Sequence, residues 1–116
     1  MEKSSYQLRI DVDEKYYELI SSILDLKPVN YKYGWSYEII LEEEPGYFNI
    51  IEKFLKHMYG KYEKLKELGV ERENITIWII YGYNNQCNME FTPYLLKQLG
   101  DNGISLCISC YEAGNE

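Results

Sequence analysis

The chain has 116 residues, 46% of them hydrophobic, and a formal net charge of -7. That length holds one domain, residues 1–116, with a buried core; no apolar run approaches the ~20 residues of a bilayer span; and the acidic balance argues against nucleic acid, whose phosphates need clustered Lys and Arg. Met1–Ser5 enters a strand pattern without a hydrophobic signal segment, so the cytoplasm is the expected location.

Ser5 to Val12 alternates, with Tyr6, Leu8, Ile10 and Val12 on one face and Gln7, Arg9 and Asp11 on the other, the pattern of a half-buried strand. Asp13 reads as an N-cap with Glu14 in the first turn, opening a short helix through Tyr17, Ile20, Ile23 and Leu24 that ends before Pro28. Pro28–Gly34 is a predicted loop. A second alternating strand follows, with Trp35, Tyr37, Ile39 and Leu41 opposed to Ser36, Glu38 and Ile40. The run Glu42-Glu43-Glu44-Pro45-Gly46 ends it as a charged turn.

From Tyr47 to Leu68 the period changes to that of one long helix, with Tyr47, Ile51, Phe54, Leu55, Met58, Tyr62 and Leu65 in a single stripe. Gly60 lies off the stripe, costs about 1 kcal/mol in a helix and leaves room for a bend. Gly69 suits the C′ position, with Val70 able to touch Leu65. Ile75–Tyr81 is a run of β-branched and aromatic residues that reads as a central strand buried on both faces. After a polar loop, and a brief extended piece at Met89–Phe91, Thr92-Pro93 is an N-cap and N1 pair for a short helix stopping at Gly100. Ile104, Leu106, Ile108 and Cys110 then alternate with Ser105, Cys107, Ser109 and Tyr111 as a last strand, and residues 112–116 form a frayed tail.

Four strands separated by three helices, each helix with one apolar stripe, predict an α+β fold: a four-stranded sheet with the helices mainly on one face, roughly ferredoxin-like in shape.

The candidates for chemistry are few. Cys107-Ile-Ser-Cys110 has CxxC spacing, but in a strand residues three apart point to opposite faces, and a redox pair needs a helix N-terminus. Without a secretion signal, Cys87, Cys107 and Cys110 are expected as reduced thiols. Their spacing with His57 matches no zinc pattern, so no metal is expected. His57, among Lys53, Lys56 and Lys61, reads as a solvent-facing helix residue. No phosphate loop or nucleophile elbow occurs. The expectation is a chain that is not an enzyme and carries no cofactor.

If Ile75, Ile77, Ile79 and Tyr81 face the helices, Trp78 and Ile80 face away, with Ile40 and Tyr111 or Cys107 beside them. An aromatic and apolar patch among Arg9, Gln7, Glu38 and Ser109 is the sort of surface that marks an interface. Glu42, Glu43 and Glu44 supply acidic steering toward a basic partner. Self-association through the same face is the alternative.

Leu26-Lys27-Pro28 followed by Gly34-Trp35-Ser36, then the Leu/Lys-rich helix, Gly69, the isoleucine-rich strand, Thr92-Pro93-Tyr94-Leu95-Leu96 and Gly103-Ile104, resembles the bacterial domain-of-unknown-function family DUF 4279 over almost the whole chain. The resemblance implies a cytosolic bacterial α+β domain and, through members that act as immunity proteins, neutralisation of a protein toxin. The family pattern holds no catalytic residues, so none carries over.

Overall fold

The computed structural model describes residues 4–28, 34–41 and 47–112. Its elements, in order, are β1 (Ser4–Ile10), α1 (Tyr17–Leu24), β2 (Trp35–Leu41), α2 (Tyr47–Met58), α3 (Tyr62–Glu67), β3 (Ile75–Tyr83), α4 (Pro93–Asn102) and β4 (Ser105–Glu112). The Glu42–Gly46 turn, most of the Pro28–Gly34 loop and the tail beyond Glu112 lie outside the described residues.

The four strands form one mixed sheet in the order β2-β1-β3-β4. β1 is antiparallel to both neighbours, and β3 runs parallel to β4 through the α4 crossover. The expected α+β class is therefore present, with four α-helices rather than three. The extra one arises at Gly60. Its φ of +75° is left-handed backbone that a helix cannot hold, and the predicted long helix breaks there into α2 and α3. Gly69 terminates α3 as expected: Val70 N donates to Leu65 O at 3.0 Å and Gly69 N to Lys66 O at 2.9 Å, the two bonds of a Schellman cap.

At the start of the first helix, Asp13 accepts from Lys15 N at 3.0 Å and caps a single 3₁₀ turn that leads into α1. Thr92 accepts from Leu95 N at 3.4 Å and Pro93 takes the first turn of α4. That helix passes through Gly100 and stops at Gly103, whose φ is +67°, three residues later than the composition suggested. No strand forms at Met89–Phe91; Met89 and Phe91 pack against the core from irregular backbone instead.

One core lies between the sheet and the helices. Tyr6, Leu8 and Ile10 of β1, Trp35 of β2 and Ile75, Ile77 and Ile79 of β3 meet Ile20 and Leu24 of α1, Ile51, Phe54 and Met58 of α2, Leu65 of α3 and Leu95 of α4, all buried. Trp35 satisfies its indole N–H inside this core by donating to Ser21 Oγ at 3.0 Å. Tyr62 ties α3 to α4, its hydroxyl donating to Asn102 Oδ1 at 2.6 Å beneath the Arg72 guanidinium, which lies 3.5 Å from the ring centre. Burial holds the Tyr62 hydroxyl above its ordinary pKa, partly opposed by the Arg72 charge.

His57 departs from its expected place. It is half-buried, and its Nδ1 lies 3.0 Å from Leu24 O, so the ring closes the end of α1 as a hydrogen-bond donor. That bond holds the side chain against the end of α1 rather than in solvent.

Candidate functional site

Because the helices occupy one side of the sheet, the alternate residues of every strand face away from them. The pairing registers set these residues in rows. Ile40, Ser5, Ile80 and Ser109 form one row; Glu38, Gln7, Trp78 and Cys107 the next; Ser36, Arg9, Thr76 and Ser105 a third. Tyr111 pairs across from Gly82 beyond the first row. The register thus brings Trp78, Ile80, Ile40 and Tyr111 onto one face, as expected, and adds Cys107 rather than excluding it. Glu42, Glu43 and Glu44 are outside the described residues; they follow Leu41, which pairs with Ser4 at the Ile40 end of the sheet.

β3 is not buried on both faces. Ile75, Ile77 and Ile79 are fully covered, whereas Thr76, Trp78 and Ile80 are half-buried. The apolar composition of the strand misleads here because the cover on its second face comes from flanking side chains, not from a second helical layer. The Arg9 guanidinium lies over the Trp78 ring, 4.3 Å from its centre. Trp78 Nε1 donates to Thr76 Oγ1 at 3.1 Å. The indole is therefore held from above by a cation and along the strand by a hydroxyl, which fixes its orientation.

Arg9 is itself positioned. Its Nε donates to Gln7 Oε1 at 2.7 Å, and Gln7 Nε2 donates to Glu38 Oε2 at 2.8 Å and to Ser5 Oγ at 3.1 Å. Ser5 Oγ also donates to Glu38 Oε2. The result is a continuous lattice, Glu38–Ser5–Gln7–Arg9–Trp78–Thr76, spread over three strands. Gln7, only 6% exposed, sits at its middle. Sequence reasoning placed Arg9, Gln7 and Glu38 around the tryptophan but missed Ser5 and Thr76. Their signal is parity alone: both alternate with core residues, and only the register puts them beside their partners.

Beyond this lattice the face turns apolar. Ile40 is 57% exposed and Tyr111 45% exposed, with Ile80 between them. The Tyr111 ring lies directly on Gly82, where an added Cβ would come within 2.7 Å of ring atoms. Gly82 is thus the residue that leaves room for the hydroxyl end of the Tyr111 ring. The expected aromatic and apolar patch is in fact two zones: a polar lattice around a clamped tryptophan, and an exposed apolar end.

Comparison with known protein families, characterised proteins and solved structures finds no match.

Two cysteines depart from expectation. Cys110 is joined to Cys87 in a disulfide, with their Cα atoms 6.8 Å apart, while Cys107 stays a free thiol. Cys107 pairs across from Trp78 and Cys110 from Tyr81, so the two residues of the CxxC sequence lie on opposite faces of β4. The polar loop after β3 returns to the end of β4, and this brings Cys87 to Cys110, a proximity that spacing alone does not reveal. Among the described residues no three His, Cys, Asp or Glu side chains gather closely enough to hold a metal ion, and no helix is long and apolar enough to cross a membrane.

Elsewhere, a groove of about 210 Å³ runs between α2 and α4, lined by Glu52, Leu55, Lys56, Tyr59, Tyr94 and Gln98 among others. Its lining brings together no nucleophile and base. His57, the one histidine, is engaged with the Leu24 carbonyl.

Proposed function

We propose that this chain is a non-enzymatic protein-binding domain of the bacterial cytosol, an immunity protein that neutralises a basic protein toxin by covering it with the helix-free face of the sheet. The observation that carries this reading is the Trp78 ring, half-exposed at the middle of that face and clamped between Arg9 and Thr76. A fixed aromatic loses little side-chain freedom on binding, which is what makes such residues effective anchors. Ile40, Ile80 and Tyr111 extend the contact with exposed apolar surface at one end. Arg9 and Glu38, each bonded to the buried Gln7, present polar groups beside the ring whose ordering precedes association. The net charge of -7, with Glu42–Glu44 entering the chain at the Ile40 end, favours fast encounter with a basic partner. The resemblance to DUF 4279 points the same way.

The test is co-expression with toxin genes from the same neighbourhood. The wild-type protein is expected to restore growth and to co-purify with one toxin. Trp78→Glu is expected to abolish both while leaving the far-ultraviolet dichroism unchanged, because the side chain lies outside the core. Failure of every neighbouring toxin to be neutralised or to co-purify would sink the proposal.

A further inference from the structure

β4 is an edge strand: among the described residues its inner side pairs with β3 and no strand lies on its outer side. It is eight residues long, and every residue from Ile108 to Glu112 is exposed in part. Natural edges of this length are normally protected by lysine, proline, a bulge or a covering segment. Ser105-Leu-Cys-Ile-Ser-Cys-Tyr-Glu112 contains no basic residue and no proline, and its only charge is the last residue. Ile108 shares the core side of the sheet with Ile79, yet it is 43% exposed. Alternate backbone N–H and C=O groups along such an edge can exchange their water for another extended backbone.

We propose that a second copy of this chain supplies that backbone, β4 pairing antiparallel with β4 across a two-fold axis to make one continuous eight-stranded sheet. With Ile108 on the axis, Leu106 meets the second copy's Cys110, Cys107 meets its Ser109, and Ser105 meets its Tyr111. Each residue opposes one from the same face, as the pleat requires. The exposed isoleucine is covered by its own counterpart. No like charges are juxtaposed despite the net charge of each copy, because Glu112 falls opposite Ile104 at the end of the register. A strand from another protein would have to reproduce this alternation of apolar and small polar residues; β4 already has it. Two-fold pairing is also the commonest closed arrangement of identical chains. Edge pairing leaves the Trp78 face open on both copies, so it is independent of toxin binding.

Sedimentation velocity across the micromolar range should show the wild-type chain as a dimer. Ile108→Lys should shift it to a monomer with an unchanged dichroism spectrum. A register-specific test guards against misfolding of that variant. Cross-strand partners hold their Cβ atoms about 4.5–5.5 Å apart, within or close to disulfide reach. Ser109→Cys, with oxidised glutathione as the oxidant, should therefore link to the second copy's Cys107 and run as a covalent dimer on non-reducing gels. Adding Cys107→Ser should abolish that band. A wild-type chain that sediments as a monomer throughout, or a Ser109→Cys chain that forms no covalent dimer, overturns the proposal.

Discussion

Arg9 stacks on the Trp78 ring and donates a hydrogen bond to Gln7 Oε1. A stacked cation at a partly exposed site contributes about 0.5–1 kcal/mol, and the charge-assisted hydrogen bond about 1.5–3 kcal/mol. Arg9→Ala should therefore lower stability by roughly 2–4 kcal/mol in urea melts, on these contributions. The sharper readout is fluorescence. The chain has two tryptophans, and Trp35 is fully buried, so acrylamide quenching reports on Trp78 almost alone. Arg9→Ala should raise the quenching constant and shift the emission to the red, since it removes the cover on the ring. Unchanged quenching would mean that the guanidinium does not shield the indole in solution. Ser5 and Thr76 show why a face is harder to read than a strand: neither carries a distinctive chemistry, and each matters only through the neighbour that the register gives it.

At the scale of elements, the caps were legible because their chemistry is local. Asp13, Thr92-Pro93 and Gly69 each bond within a few residues of themselves, and each lies where its side chain or backbone freedom indicates. Strand faces were legible too, since the apolar residues of β1 and β2 alternate with polar ones, although Gln7 and Ser36 on the second face are also buried. Register was not, because β1 pairs with segments some thirty and seventy residues away, and no local signal sets that alignment. The break between α2 and α3 falls between these cases. A glycine off the apolar stripe signals tolerance of a bend, but its positive φ depends on how Met58 and Leu65 must both reach the core. Nothing lies within 4 Å of a Cβ built on Gly60, so Gly60→Ala tests backbone conformation alone. Left-handed backbone costs a non-glycine residue roughly 1–2 kcal/mol. The variant should lose about that much in urea melts, with the m-value unchanged. A stabilised variant would mean that one continuous helix is the preferred state.

The Cys87–Cys110 disulfide acts on the whole molecule, because it ties the connection leaving β3 to the far end of the edge strand. The two cysteines are 23 residues apart, and closing a loop of that size in the unfolded chain is worth roughly 3 kcal/mol on the chain-entropy account. For a domain of this size that is on the order of 15 °C in unfolding midpoint. Cys87→Ser, or treatment of the wild type with a dithiol, should lower the midpoint accordingly, and Cys87→Ser should make it insensitive to the dithiol. Thiol titration of the denatured wild-type chain should find one free group, Cys107, before reduction and three after. This bears on the proposed cytosolic location, where thiol pools keep most cysteines reduced. Cys110 is exposed, so a reductant reaches the bond without unfolding the domain. A chain working in that compartment would then run on the stability of its core alone, with the end of β4 released from the loop. Alkylating the cellular protein before lysis separates the cases: one free thiol places it in an oxidising compartment and argues against the cytosolic toxin partner, whereas three place it in a reducing one, compatible with that partner.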